Sequence, residues 1–412
     1  MLERIHAGVL TERDLADPAT WRLTGDLAAE LLRFERTRRP ISTVLAYEEA
    51  RVDLARAWVR DDRGREMVIR VWMDPAHPGV PSRFSQVLAP AGYIVRTATE
   101  GDAAALTELE RRVGVLRADG STVVYHRPDP FAQFRLMGND VAPLVAEYQG
   151  EIIGAHVDAF HQVRIGGRDA DLMYRLHTRV LPEHQGAGLY GTMTGVQLER
   201  FRGSEPIPAL LAFAAVGNSK VDRFTYWETR VQRVTIECAA VAGAATAATR
   251  TAGPADAERI ADMTNVTHRD REFFVPLDAD AVCTRLERSA SDYGFSSVGV
   301  GDRAVAGVWD AGWGLVVTRD GTTVEEQRLA SLADWAALAG GEDQLVDLVR
   351  GWCAELVERG VTHLLAFADE RSAAGRAICS LASSVTVFRT SSTVNEPPGT
   401  GDRGIYVDPI WF

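Results

Sequence analysis

Lysine is nearly absent from this chain: Lys220 is the only one, and arginine supplies every other strongly basic side chain. Arginine bias of that kind points to a GC-rich coding sequence rather than to a function. Basic charge as a whole is short, with 45 Lys+Arg against 57 Asp+Glu and a formal net charge of −12. A nucleic-acid partner needs a basic face, so that class is excluded as the main one. The acidity is compatible with a cationic amine as substrate. Cysteine is scarce too. Cys238, Cys283, Cys353 and Cys379 are far apart and form no C-x-x-C pair, which leaves reduced thiols in an intracellular protein as the expectation. No apolar run is long enough to span a bilayer, and the opening residues have no signal-peptide pattern, so a cytoplasmic protein without a membrane partner is expected.

What is present describes an ordinary globular chain. Its 412 residues are 46% hydrophobic and 25% charged, too many for one typical core and enough for two or three domains. One stretch organises the rest. Leu172, Tyr174, Leu176, Thr178 and Val180 alternate with Asp171, Met173, Arg175, His177 and Arg179, which predicts a strand. Leu189, Met193, Val196 and Phe201 then fall near one face of a helix. Between them lies Gln185, Gly186, Ala187, Gly188. A glycine-rich turn entering a helix leaves backbone N–H groups unpaired at the positive end of the helix dipole, and small residues let a diphosphate approach them.

Strand, Val-x-Pro, then Gln-x-x-Gly at a helix start resembles the acyl-CoA signature of the GNAT superfamily of N-acyltransferases. The family has a small residue where this chain has Tyr190. Around the signature the pattern predicts a short strand from Tyr93, helices near 102–113 and 130–136, and a hairpin over 141–165 across Gln149 and Gly150. After it, the apolar run 207–216 suits a buried parallel strand. Residues 217–227 then resemble the family's second motif, with Asn218 in place and Tyr226 one residue beyond the usual tyrosine, where Thr225 stands.

Residues 246–412 repeat the plan: a strand and Ala-rich helix after Ala247, a hairpin near 295–309, a helix over 344–359, a strand over 362–368, and a close near 385–412. The nearest counterpart of the loop, Ala339 to Glu342, leads into the acidic pair Glu342 and Asp343, which would repel a diphosphate. Residues 1–91 are the least patterned. Helices over 23–36 and 44–59, a strand over 67–73 and a Pro-rich linker over 74–92 are expected there.

The resemblance implies an α/β, mixed-sheet, tandem GNAT-like fold with an N-terminal α+β extension (1–91), a catalytic domain (92–245) and a degenerate second domain (246–412). It implies acetyl-CoA or another acyl-CoA as co-substrate, no metal, and direct transfer to an amine in a ternary complex. Similar tandem enzymes of antibiotic biosynthesis and resistance suggest an amino sugar or natural product as the small-molecule acceptor. Thr178, Arg179 and Val180 would meet the pantetheine, with a backbone N–H polarising the thioester. Gln185, Gly186, Ala187, Gly188, Leu189 and Tyr190 would hold the diphosphate, and Asn218 and Lys220 the polar tail. His177 is the first candidate base, since imidazole titrates near neutral pH. His156, His161 and Asp171 remain alternatives, as does a His177 that merely pairs with a neighbour. Tyr226 is the candidate acid ahead of Tyr190, with a packed aromatic as the competing explanation. The rival class is a non-enzymatic acyl-CoA-binding protein.

Overall fold

The computed structural model describes residues 41–51, 54–61, 66–74, 77–88, 92–116, 120–137, 140–165, 167–185, 187, 189–199, 209–215, 227–243, 250–292, 295–392 and 404–407. The expected helix over 23–36 lies outside them. In chain order the first strands are β1 (Ile41–Arg51), β2 (Leu54–Asp61), β3 (Glu66–Asp74) and β4 (His77–Leu88). Next come β5 (Tyr93–Thr97), α1 (Ala103–Arg112), β6 (Val115–Leu116), β7 (Thr122–His126), α2 (Pro130–Met137), β8 (Val141–Tyr148), β9 (Glu151–Ile165) and β10 (Arg168–Val180). The chain continues through α3 (Leu189–Glu199), β11 (Ala209–Ala215), β12 (Trp227–Glu237), α4 (Cys238–Val241), α5 (Ala257–His268) and α6 (Ala279–Asp292). It closes with β13 (Phe295–Val300), β14 (Ala304–Arg319), β15 (Thr322–Ala337), α7 (Glu342–Glu358), β16 (His363–Phe367), α8 (Ala373–Cys379) and β17 (Ser384–Ser392).

Internal contacts divide the chain into two units. One comprises Met1–Thr99, Ala142–Val157 and His177–Glu205; the other comprises Glu100–Val141, Asp158–Leu176 and Pro206–Phe412. The strands β9 and β10 run through both.

In the first unit β1 to β4 form an antiparallel meander in that order. This corrects two expectations. Residues 44–59 are not a helix but parts of β1 and β2, paired from Ile41↔Asp61 to Arg51↔Leu54. Their apolar spacing is ambiguous, and the partner β3 on the far side of β2 decides it, because strand formation depends on cross-strand neighbours more than on local propensity. The Pro-rich segment is not a linker: β4 occupies the sheet edge, where Pro78 and Pro81 cost no central ladder bond, and the register shifts beside Pro81. The first unit also holds the ladder β5-β8-β9-β10. The turn between β8 and β9 falls at Gln149 and Gly150, both at positive φ, as a two-residue hairpin requires.

In the second unit the ladder continues from β10 as β11-β17-β12-β16-β15-β14, with β13 also on β14. The order is symmetric about the antiparallel β17–β12 pair. On one side β10 and β11 are parallel over Leu172–Arg175 and Ala209–Ala212; on the other β15 and β16 are parallel over Leu329–Ser331 and His363–Leu365. The last strand of each sequence repeat has changed places: β17 pairs with β11, and β12 pairs with β16. The expected 295–309 hairpin is β13 with β14, paired from Phe295↔Asp310 to Val300↔Val305. A second, longer hairpin of β14 and β15, which turns at Asp320 and Gly321, places β15 directly before α7.

Packing follows the exchange. Val234 and Ile236 of β12 are fully buried with Leu345, Leu348, Val349, Trp352 and Leu356 of α7 and Leu364 and Ala366 of β16. The Trp352 indole N–H donates to the Ala306 carbonyl at 2.9 Å, fixing α7 to β14. Cys238 and Cys353 are free thiols in the same cluster. Arg175 clamps the buried Asp158 through two hydrogen bonds of 3.0 and 3.1 Å, satisfying a carboxylate that could not stay ionised alone.

Ile236 tests the exchanged strand. Replacement by Ala should cost about 2–5 kcal/mol in a denaturant melt and by Val about 0.5–1.5 kcal/mol. An unchanged midpoint for Ile236→Ala would show that β12 does not complete that core.

Candidate functional site

The predicted strand is interrupted at its most interesting residue. His177 has φ +50, a left-handed conformation rare for a side chain with a Cβ. The cause is visible in the cross-strand bonds. Arg175 faces Asp158, whereas Thr178 Oγ1 lies 2.8 Å from His156 Nδ1, so β10 uses one more residue than β9 over the same interval. A β-bulge centred at His177 absorbs it. Strict alternation therefore fails beyond Leu176, and Thr178 comes onto the face of Arg175. A strained bulge beside a glycine-rich loop re-aims side chains there.

Four of the candidate residues, His177, Thr178, Arg179 and Val180, follow one another at the end of β10 in the first unit. Arg179 Nη1 lies 3.3 Å from His177 Nδ1. A guanidinium can only donate, so Nδ1 offers its lone pair and the ring hydrogen sits on Nε2. His177, Arg179 and Val180 are half-buried and Thr178 is exposed. Gln185 reaches back, its side-chain N–H donating to the Val180 carbonyl at 2.9 Å, which ties the loop to the strand end. His156 is fully buried and meets the Tyr190 ring edge-on at 6.0 Å, so the bulky residue of the signature packs inward.

The loop is anchored by apolar contacts and turn hydrogen bonds. Leu181, Ala187, Leu189 and Met193 are buried. The Gln185 N–H donates to the Pro182 carbonyl at 3.2 Å and the Ala187 N–H to the His184 carbonyl at 3.3 Å. Those two amides are engaged within the turn. By helix geometry the N–H groups of the first turn of α3, which starts at Leu189, have no acceptor within the helix. Gly186, Gly188, Asn218, Lys220 and Tyr226 lie outside the described residues. His161, an alternative base, is half-buried on β9, and Asp171 is exposed on β10. Among the described residues no group of three or more His, Cys, Asp or Glu is placed to hold a metal, and no helix is long and apolar enough to cross a membrane.

Sequence reasoning did not find the ring cluster upstream of the loop: Tyr93 and Tyr148 flank His184, with Tyr93 Oη 3.0 Å from His184 Nδ1. Nothing in their spacing announces it, because the β5–β8 register brings Tyr93 opposite Tyr148.

The second unit repeats the backbone but not the chemistry. Asp334 on β15 has φ +49, just past the end of the parallel ladder with β16, as His177 follows that of β10 and β11. Asp334 is paired with Arg285. The loop after β15 is filled. A Cβ at Gly341 would stand 2.5 Å from the Arg303 carbonyl oxygen, and the Arg303 guanidinium donates to the Ala339 carbonyl at 2.8 Å. The Gly341 N–H is spent on the Leu338 carbonyl at 2.8 Å, and Glu342 and Asp343 occupy the first turn of α7.

No model of a known protein family matches the sequence, and no curated protein matches it. Among solved structures the chain is similar to N-myristoyltransferase of Saccharomyces cerevisiae with bound myristoyl-CoA, at a TM-score of 0.57 and 8% identity over 78% of this chain and 90% of that one. A second myristoyl-CoA complex of that enzyme gives 0.58 over 78% and 86%. A third, which also holds inhibitors, gives 0.58 over 78% and 88%, both again at 8% identity. The chain thus has a mixed α/β fold of the GNAT type, as the signature led us to expect.

Two loops of unequal chemistry make a stoichiometry prediction. Calorimetric titration with CoA should give one site per chain. Gly341→Ala should lower stability by about 1–3 kcal/mol through overpacking without changing that affinity. Two sites, or loss of CoA binding in Gly341→Ala, would contradict it.

Proposed function

We propose that this protein transfers an acyl group from acyl-CoA to the amine of a small molecule, by direct attack in a ternary complex. The observation that carries this reading is the bulged strand end at 177–180 running into the Gln185 loop and α3, in a chain with the acyl-CoA N-acyltransferase fold. Myristoyl-CoA in the similar structures favours a long acyl chain as donor. The first turn of α3 and the loop amides other than those of Gln185 and Ala187 would receive the diphosphate. The backbone of Thr178, Arg179 and Val180 would meet the pantetheine and polarise the thioester carbonyl, as an oxyanion donor does. Of the Val180 groups, the carbonyl is already engaged by Gln185.

His177 is the proposed base. The lone pair that would take the amine's proton is the one on Nδ1, and Arg179 competes for it. Turning of Arg179 toward bound cofactor would release it. Tyr226 is the proposed acid for the leaving thiolate, with Asn218 and Lys220 as further cofactor contacts. The domain plan 1–91, 92–245 and 246–412 is retained as a description of sequence repeats, with the second repeat shaping the acceptor side rather than holding CoA. The Arg179 contact also favours a second reading, a non-enzymatic acyl-CoA-binding protein, because it leaves His177 with a donor nitrogen.

Free-thiol release from acetyl-, octanoyl- and myristoyl-CoA, measured with a panel of amines including amino sugars, separates the two. An enzyme releases thiol faster when an amine is added. His177→Gln should then lower kcat by about 10²–10⁴-fold, the usual yield of general base catalysis, with CoA affinity intact. CoA binding without amine-dependent release would establish the binding protein, and an unchanged kcat in His177→Gln would remove His177 from the chemistry.

A further inference from the structure

The residue immediately before Gln185 is held from outside its own loop. His184 closes a short 3-10 turn, Pro182–His184, and its ring lies against two tyrosines of other strands. The centroid distances are 5.7 Å to Tyr93 and 5.2 Å to Tyr148, and the two tyrosines are 4.7 Å apart. Tyr93 Oη and His184 Nδ1 form a 3.0 Å hydrogen bond. The tyrosines are placed by sheet register, since Tyr93 stands directly opposite Tyr148 in the β5–β8 ladder. Gly92, at φ +93, completes the cage. A side chain there would be strained, and its Cβ would stand 3.3 Å from the Tyr148 ring.

These rings are half-buried, whereas Leu181, Ala187 and Leu189 on either side are the buried anchors of the same segment. The core of the loop is therefore provided without the cage. What the cage adds is a fixed His184 main chain. The His184 N–H donates to Leu181, and the His184 carbonyl is the acceptor for the Ala187 N–H in the middle of the glycine-rich turn. Displacing the His184 ring would displace that carbonyl and free the turn. A loop with glycines at 186 and 188 has much backbone entropy to lose. A ligand that must order it binds more weakly than one meeting it ready-made.

We propose that Tyr93, Tyr148 and His184 form a positioning device for the acyl-CoA loop: the cage presets the Gln185 turn and sets donor affinity, without touching the reacting atoms. The inference rests on the acyl-CoA reading above and gives three residues that the signature does not specify a part in setting donor affinity.

Tyr93→Phe removes the hydroxyl and keeps the ring. It should raise the Kd for CoA and the KM for acyl-CoA about 5–10-fold, the effect of one net hydrogen bond. The acceptor KM and kcat at saturating acyl-CoA should stay at wild-type values. His184→Phe should weaken CoA by at least as much, and adding Tyr93→Phe to it should cost nothing more, since the two act through one bond. Wild-type CoA binding with an unchanged Kd in Tyr93→Phe would overturn the cage while leaving the acyl-CoA reading intact. So would a lower Tm with unchanged Kd, which marks simple packing, or a loss confined to kcat. Absence of CoA binding in the wild-type protein would overturn both.

Discussion

The second unit depends on one antiparallel pairing, β12 with β17, running from Trp227↔Ser392 to Thr235↔Ser384. Each strand comes from a different sequence repeat and each completes the other repeat's sheet. Residues such as Val234 and Ile236 are therefore read by the first repeat in sequence and buried by the second in space. Neither repeat closes its sheet with its own last strand. The two repeats are thus joined by the main-chain hydrogen bonds of that ladder.

Duplicated backbone with divergent side chains is the logic of the site. Both repeats contain a parallel strand pair, a left-handed residue just past the end of its ladder, a turn and a helix. In one copy the left-handed residue is His177, its neighbours are Arg179 and Thr178, and the turn leads into α3, whose first turn bears no acidic side chain. In the other it is Asp334, neutralised by Arg285, and the turn is packed against Arg303 ahead of an acidic helix start. Electrostatics and steric filling thus both count against an anion at the second copy. The fold alone does not distinguish them.

Much of this was legible because local rules carried it. The hairpin at Gln149–Gly150, the apolar run of β11 and the amphipathic α7 each announce themselves through turn chemistry or periodicity, and the Gln185 loop through its glycines. What was not legible is set by partners distant in sequence. Residues 44–59 become strands because β3 is beside them. Pro81 is tolerated because β4 is at an edge. The bulge at His177 exists because β9 offers one residue fewer than β10, a mismatch that alternation along one strand cannot show. The Tyr93–His184 contact, between residues 91 apart in sequence, is likewise a consequence of register. The strand exchange is the extreme case, since both repeats keep the expected element order while trading their final members.

That trade has a consequence for synthesis on the ribosome. The strand that covers β11 is Ser384–Ser392, so an emerging polypeptide carries an open, apolar edge until that strand has been made. Unpaired edges of this kind template wrong partners, and pairing across such a sequence gap is slow to form. Stalling or truncation anywhere before β17 would leave a nascent chain with no internal remedy.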